Sequence, residues 1–197
     1  MRHKAYIKNF KQKVVDALPA DTDLNKVDVW FQDETRVGQQ GSITRMWVPK
    51  GSRPRAIRQQ QFEYAYIFGA ACPAKDKALG LVLPLANTDG MIEHLRLISK
   101  ATEKDRYAVV IMDRAAWHTT GKIKCFDNII PMPLPPYAPE LNPVEQLWLN
   151  IKQRYLSNMA FKDYEEIVDK CCDAWNDILK KDNFVKKLCS REWIELV

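Results

Sequence analysis

The order of apolar and polar positions along the chain predicts two halves of different character. In the first half, apolar residues recur at helical spacing between residues 2 and 18 and stop at Pro19. Val27–Glu34 then alternates as a half-buried strand does. We expect an entry helix followed by an antiparallel meander, whose further strands are Ile43–Pro49, Phe62–Cys72 and Ala78–Leu85.

The second half alternates between helical and strand patterns. Thr88 is a candidate N-cap for a helix that ends near Lys100, and the continuous apolar run Tyr107–Met112 indicates a buried parallel strand reached by a crossover. The remaining predicted elements are a short helical piece at 119–126, a strand at 129–132, a helix from 142 to about 158, a helix at 163–181 and a short helix at 183–189.

Strands followed by alternating helices and strands resemble a ribonuclease H-like arrangement, although periodicity alone does not fix a topology. The expected fold class is therefore α/β, with a mixed five-stranded sheet flanked by helices. We divide the chain into an N-terminal linker helix (1–26), a ribonuclease H-like domain (27–160) and a C-terminal helical extension of that domain (161–197).

Composition is ordinary for a folded domain, with 46% hydrophobic and 28% charged residues among 197. The apolar stretches 64–74 and 78–86 are each too short to cross a bilayer of about 30 Å. No apolar segment follows the basic N-terminus as in a secretory signal, so we expect a cytoplasmic protein. The five cysteines form no CxxC pair, which argues against a zinc site and against a disulfide framework.

Positive charge is concentrated in one segment of the chain. Residues 35–62 contain no carboxylate, and they carry six of the cations: Arg36, Arg45, Lys50, Arg53, Arg55 and Arg58. Such a segment is either a solvated loop face or a contact surface for a polyanion such as nucleic acid.

Two acids stand at or near the ends of predicted strands. Asp33 lies in the segment WFQDET, and side-chain alternation places it on the same face as Val29 and Phe31, with Glu34 on the opposite face. Asp113 follows the apolar run that ends at Met112, where open α/β sheets place ligand sites. Each acid also has a simpler interpretation, as a strand-end residue facing water or the first residue of a loop.

A third acid, Glu145, opens the helix after a proline-rich turn. Asn142-Pro143-Val144-Glu145 matches a capping box, in which Glu145 would only satisfy the helix terminus. The rigid approach at 135–139 favours a different role, because it fixes where the carboxylate points. Lys152 lies two turns further along the same face and is a candidate phosphate contact.

If the three acids converge, a cation must neutralise them, and oxygen-only ligands suit Mg²⁺ or Mn²⁺. Asp33, Asp113 and Glu145 are therefore candidate metal ligands and catalytic residues. His118 lies five residues after Asp113, and we expect it to orient the following helix or a neighbouring acid rather than to bind metal.

The motifs around these acids resemble the catalytic domain of bacterial insertion-sequence transposases of the mariner-type DDE superfamily. That family has FxDE-like, MDNAxxH-like and LPPYxPxLNPxExxW segments, and an RxWxPxG segment. The corresponding residues here are FQDE at 31–34, MDRAAWH at 112–118, LPPYAPELNPVEQLW at 134–148 and RMWVPKG at 45–51, which we interpret as a hairpin.

The resemblance implies metal-dependent DNA cleavage and strand transfer. Two Mg²⁺ or Mn²⁺ ions would lie about 4 Å apart, with Asp33 bridging both and Asp113 and Glu145 each completing one shell. It also implies double-stranded DNA as partner, at element ends and target, and a homodimer when active. The DNA contacts implied are Arg45, Lys50, Arg53, Arg55, Arg58 and Lys152.

Two departures from the family pattern affect this expectation. Arg114 stands where the family usually has Asn after the second acid. About 26 residues precede the first strand, too few for the family's helix-turn-helix module, so an upstream-encoded DNA-binding module is a possible partner. The alternatives are a non-autonomous or inactive transposase fragment and a ribonuclease H-like enzyme of repair or RNA processing.

Overall fold

The computed structural model describes residues 2–41, 43–55, 58–118 and 120–197, with Arg2 and His3 described by their backbone alone. Within these ranges, five strands form one mixed sheet in the order β3-β2-β1-β4-β5. The pairs β1–β2 and β2–β3 are antiparallel, whereas β1–β4 and β4–β5 are parallel. The strands are β1 (Val27–Gly38), β2 (Tyr64–Cys72), β3 (Lys77–Leu83), β4 (Tyr107–Met112) and β5 (Ile129–Pro133).

This topology confirms the predicted fold class and the predicted meander of the first three strands of the sheet. It also explains the continuous apolar sequence of β4, which lies between two parallel neighbours with helices on both faces of the sheet. Five of the six residues of β4 are buried.

The prediction of a strand at Ile43–Pro49 is wrong. The described residues between β1 and β2 have no regular structure apart from a turn near Gly51, and the expected hairpin is absent from them. The apolar side chains that suggested a strand are exposed, including Trp47 at 103% and Ile43 at 60%. These apolar residues have no partner strand beside them and no core beneath them, so an extended strand here is not stabilised. The neighbouring cations also repel one another.

The helices are α1 (Arg2–Lys8), α2 (Phe10–Ala17), α3 (Thr88–Ala101), α4 (Val144–Ile151), α5 (Tyr164–Leu179) and α6 (Phe184–Cys189). The predicted entry helix is thus divided at Asn9. The prediction of Thr88 as the N-cap of α3 is wrong: Thr88 is the first helical residue, and the cap is Asn87, whose side chain accepts a hydrogen bond from the amide of Gly90 at 2.9 Å. After α4 the chain continues as one π-helical turn, Lys152–Leu156. The helical piece predicted at 119–126 begins outside the described residues, and a single 3-10 turn, Gly121–Ile123, lies within it.

The sheet separates two apolar layers. On one face, α3 packs Met91, Leu95 and Ile98 against Trp30 and Phe68. On the other face, α4, α5 and the N-terminal helices cover the sheet; their contacts include Phe10, Phe31, Ile67, Leu147, Ile167 and Trp175. No helix in the described part of the chain is long and apolar enough to span a membrane.

Candidate active site

The three predicted acids line a single cavity of about 430 Å³ at the carboxyl end of β4. Asp33 lies on β1, Asp113 follows β4, and Glu145 is in the first turn of α4. Phe31 pairs with Ile111 in the parallel register, so two residues further along each strand Asp33 and Asp113 emerge at the same level. Neighbouring parallel strands thus bring two of the acids together, and α4 supplies the third.

Asp33 is a largely buried carboxyl group with an acid for a neighbour. Burial and the nearby charge of Glu145 raise the pKa of Asp33 to about 7. A single side-chain hydrogen bond opposes this shift, from Trp148 Nε1 to Asp33 Oδ2 at 2.9 Å. A carboxyl with this pKa lacks a compensating positive charge, which is what a cation would supply.

A glycine makes room for that tryptophan. Gly69 on β2 is the direct cross-strand partner of Asp33, and the ring of Trp148 occupies the space where a Cβ would stand at this position. Trp148 packs α4 on the sheet, and because residue 69 has no side chain the indole also reaches Asp33.

Asp113 is held in place by two hydrogen bonds to the same oxygen. Its Oδ1 accepts from the amide of Ala115 at 2.8 Å and from His118 Nδ1 at 2.6 Å. The bond from His118 is the main cause of a pKa of Asp113 below its ordinary value. As expected from the sequence, His118 contacts a neighbouring acid.

His118 joins Asp113 to the acid that follows Asp33. Its Nε2 lies 2.9 Å from Glu34 Oε1, which also accepts from Gln32 Nε2 at 3.0 Å and Trp117 Nε1 at 3.3 Å. Burial alone would lower the pKa of His118, but the bonds to Asp113 and Glu34 raise it to about 9. Both ring nitrogens face carboxylates, as a doubly protonated imidazolium requires.

Sequence reasoning missed this connection. It placed Glu34 on the strand face opposite Asp33, and the bond between Glu34 and Gln32 two residues earlier agrees with that alternation. The sequence held no signal that Glu34 and His118, 84 positions apart, would meet.

The capping-box interpretation of Glu145 is wrong. The amide of Asn142 donates to Pro139 O at 2.8 Å instead of to the Glu145 side chain, which is exposed to the cavity. Asn142 Oδ1 accepts from the amide of Val144 at 3.2 Å, and Asn142 Nδ2 donates to Gln32 O at 2.9 Å. This last bond fixes the start of α4 against β1, which is how the carboxylate of Glu145 is carried to the cavity.

Arg114 is a further residue of the acid cavity, and sequence reasoning assigned it no role there. Its Nε donates to Leu134 O at 3.0 Å, which links the end of β4 to the proline-rich turn. The side chain lines the acid cavity and also a neighbouring cavity next to α1 and α2. Among the described residues that line the acid cavity, Arg114 is the only cation.

The predicted DNA contacts lie outside this cavity. Lys152 lines a separate cavity of about 200 Å³ with Arg36, whose guanidinium lies over the Tyr64 ring at 4.4 Å. The cations of the irregular segment after β1 are all exposed: Arg45, Lys50, Arg53, Arg55 and Arg58.

The oxygen-rich composition of the cavity fits a hard divalent cation, since three carboxylates line it and the pKa of one of them, Asp33, is raised by burial and by a neighbouring acid. Among the described residues, no three His, Cys, Asp or Glu side chains are already gathered closely enough to hold one ion. The residues fit metal binding by the chemistry of their oxygen donors.

A curated relative has a sequence close to this one. The chain is 48% identical over 130 residues to "Uncharacterized protein y4pE/y4sA" of Sinorhizobium fredii (strain NBRC 101917 / NGR234), and the match covers 66% of this chain and 96% of the relative.

Solved structures of the Mos1 transposase share the fold. The paired-end complex with left transposon end has a TM-score of 0.62 at 18% identity, covering 93% of this chain and 56% of that one. The Mos1 mariner paired end complex with Mn gives 0.61 at 17% identity, over 92% and 56%. The complex with Mg gives 0.57 at 17% identity, over 100% and 59%. The chain therefore spans a little over half the length of these transposase chains.

Family membership follows from a match over most of the chain. The DDE superfamily endonuclease family matches residues 28–168, a range that contains all three acids together with Glu34 and His118. The resemblance seen in the sequence motifs is confirmed, and the chain belongs to the DDE superfamily endonuclease family.

Proposed function

We propose that this chain is the catalytic part of a DNA transposase, which cleaves DNA strands at the ends of an insertion sequence and joins the freed 3′-hydroxyl to target DNA. The observation that carries the proposal is the convergence of Asp33, Asp113 and Glu145 on one cavity, each from a different part of the region that matches the endonuclease family.

Asp33, Asp113 and Glu145 are the proposed metal ligands and catalytic residues, for two Mg²⁺ or Mn²⁺ ions. The Mn and Mg named in the Mos1 complexes support a divalent metal. When bound, the ions activate the attacking hydroxyl and stabilise the charge that develops on the leaving oxygen. Asp33 would be the ligand shared by the two ions, and its position is supported by the charge of the nearby Glu145, which adds to burial in raising the pKa of Asp33.

Double-stranded DNA is the proposed substrate, and a homodimer is the proposed active form. The transposon end named in a Mos1 complex supports DNA as partner. The proposed backbone contacts are Arg45, Lys50, Arg53, Arg55, Arg58 and Lys152. The proposal includes the division of the chain into residues 1–26, 27–160 and 161–197. It also includes a cytoplasmic location.

The test is a cleavage assay on duplex DNA that carries the ends of the element, with Mg²⁺ present. We expect the wild type to cut the duplex and Asp113→Asn to be inactive. The asparagine side chain has nearly the shape of the aspartate side chain but lacks the negative charge that holds a cation. Cleavage by Asp113→Asn at the wild-type rate contradicts the assignment. An RNA–DNA hybrid in a parallel reaction separates a transposase from a ribonuclease H-like repair or RNA-processing enzyme.

A non-autonomous or inactive fragment is the second candidate, since the resemblance associates the catalytic domain with a helix-turn-helix module. The nucleotide sequence upstream of this reading frame tests it directly. An overlapping frame that encodes a helix-turn-helix supports a partner-dependent protein. Sequence-specific cleavage by the chain alone contradicts dependence.

A further inference from the structure

We propose that a second cavity, next to the acids, binds a phosphate of the DNA backbone. Its volume is about 360 Å³, and it lies between the N-terminal helices and the proline-rich turn. Tyr6, Asn9 and Lys13 line one side, and Arg114 and Pro135 line the other. Arg114 and Pro135 also line the acid cavity, so the two cavities share a wall. The inference rests on the proposed function, since it specifies where the DNA strand continues beyond the acids.

The charge of this cavity is opposite to that of its neighbour. Lys13 and Arg114 line it, and no carboxylate is among its described lining residues. Arg114 uses Nε to bond Leu134 O, which fixes the side chain while leaving the two Nη groups for an anion. A metal-free acid cavity repels a phosphate, whereas this cavity attracts one.

A buried hydroxyl without a partner gives independent support. Tyr6 is 6% exposed, and among the described residues its hydroxyl has no hydrogen-bond partner. Its ring is fixed by Phe10 and Trp193, with centroids at 6.1 and 6.3 Å, and Lys13 Nζ lies 5.9 Å from its centroid. Burial raises the pKa of Tyr6 to about 12, so the group remains a neutral donor. A phosphate oxygen accepts from such a donor.

Binding of a short duplex, measured by fluorescence anisotropy in EDTA over a range of KCl concentrations, tests this inference without cleavage. Lys13→Gln is expected to reduce the slope of log K against log salt by about one, because one phosphate contact is lost. Tyr6→Phe is expected to weaken binding by about five-fold with an unchanged slope, since a neutral donor is removed. Lys11→Gln is the matched control, as Lys11 is exposed on the same helix but does not line the cavity.

If both Lys13→Gln and Arg114→Gln behave like Lys11→Gln, the inference is overturned. Titration with inorganic phosphate provides the second arm. If the variants lose affinity for phosphate but bind DNA as the wild type does, the cavity holds a free anion and the DNA assignment is wrong. DNA that binds with the expected slopes but is not cut when Mg²⁺ is added refutes the proposed function and leaves this inference standing.

We also infer that Glu34 and His118 are positioning residues for Asp113. The two donors on Asp113 Oδ1, from Ala115 and His118, leave Oδ2 to face a cation. His118 is in turn fixed by Glu34, whose Oε1 also accepts hydrogen bonds from Gln32 and Trp117. The Asp113 carboxylate cannot rotate without breaking these bonds. The hydrogen bonds that run from Glu34 through His118 to Asp113 therefore determine which oxygen of Asp113 is available to a cation. This step also rests on the proposed function.

The measurement is Mn²⁺ affinity by isothermal titration calorimetry on folded protein, with melting temperature recorded beside it. His118→Gln and Glu34→Gln are each expected to weaken Mn²⁺ binding by about ten-fold, as is typical when the partner of a ligand is removed. His94→Gln is the matched control: His94 is also buried, but among the described residues its hydrogen-bond partner is Leu79 O, at 3.4 Å, instead of an acid. This variant should lower the melting temperature and leave Mn²⁺ affinity unchanged.

Equal Mn²⁺ affinity in the wild type, His118→Gln and Glu34→Gln refutes the positioning role but not the proposed function. An equal loss in His94→Gln also refutes it, because any buried histidine would then have the same effect. A wild type that binds no Mn²⁺ refutes both this inference and the proposed metal chemistry.

Discussion

Strand β1 carries one acid near its start and another just beyond the residues that pair with β4, and the two acids have opposite surroundings. Asp28, near the start, is bonded to Lys75 at 2.9 Å and to Arg106, which outweigh its burial and lower its pKa. Asp33, further along, has no cationic neighbour among the groups that shift its pKa, and burial together with Glu145 raises that pKa to about 7.

The difference separates an acid that is neutralised within the chain from the acid that we propose as a metal ligand. At the Asp28 end the charge is neutralised within the chain, so that end is complete as folded. At the Asp33 end the acids repel one another, and a carboxyl group kept in this condition is typical of a site that takes its counter-charge from a ligand. The same strand thus carries one acid that stabilises the fold and one that we propose as a metal ligand.

The largest expected effect is on cleavage. Asp33→Asn should reduce Mg²⁺-dependent DNA cleavage by roughly 10³-fold or more, because several kcal/mol of transition-state stabilisation depends on the metal. Asp28→Asn should cut DNA at a rate close to that of the wild type at a temperature at which both are folded. Initial rates on a labelled duplex measure both, and an equal loss in the two variants would remove the distinction between the ends.

The next effect is stabilisation by metal. At a concentration of 100 times its Kd, Mg²⁺ or Mn²⁺ should raise the free energy of unfolding of the wild type by about 2.7 kcal/mol. Asp28→Asn should show the same increment from a lower baseline, and Asp33→Asn should show little of it. Urea unfolding with and without metal is the measurement. A response in Asp33→Asn as large as in the wild type would mean that the ion binds elsewhere.

A side chain added at position 69 should destabilise the protein and weaken metal binding near Asp33. Gly69→Ala places a Cβ where the Trp148 ring lies, and we expect a loss of about 1–3 kcal/mol in stability, together with weaker metal binding as Trp148 moves away from Asp33. Gly121→Ala is the control, because its added Cβ meets nothing within 4 Å. Urea unfolding and calorimetry distinguish the two variants, and matching results would show that Trp148 gives way at no cost.

The smallest effect is on the pH dependence of stability without metal. Between pH 4 and about 7 the folded protein keeps a proton on Asp33 that the unfolded chain has released, so stability falls as pH rises through this window. Asp28 acts in the opposite sense: its ion pairs stabilise the protein above about pH 4, and this is lost as pH falls through its lowered pKa. Urea unfolding in EDTA from pH 3 to 8 should show the first slope disappear in Asp33→Asn and the second in Asp28→Asn. Either slope persisting in its variant would contradict the assignment.

The sequence predicted the fold class and the placement of the three acids, because strand and helix periodicity together with chain order determine which ends of elements can meet. It failed where an apolar segment lacked a partner: Ile43, Trp47 and Val48 favour a strand by residue type but lie exposed on an irregular segment. The exposure of those residues depends on what else packs nearby, which periodicity does not record.

The supporting residues were beyond sequence reasoning for a different reason. Glu34 meets His118, and Gly69 makes room for Trp148, through contacts between elements distant in the chain. Asn142 was expected only to cap a helix, yet its side-chain Nδ2 also donates a hydrogen bond to Gln32 O on β1. Contacts of this kind depend on the three-dimensional register of strands and helices.

The hydrogen bond between Trp148 and Asp33 also gives the site an optical property. An indole whose N–H is bonded to a carboxylate emits differently when that carboxylate changes its charge or its partner, and Trp148 is only 3% exposed, which shields it from quenching by solvent. The protein therefore carries its own fluorescent reporter of the state of Asp33. Substituting Trp148 alone, with the other five tryptophans kept, identifies its part of the emission.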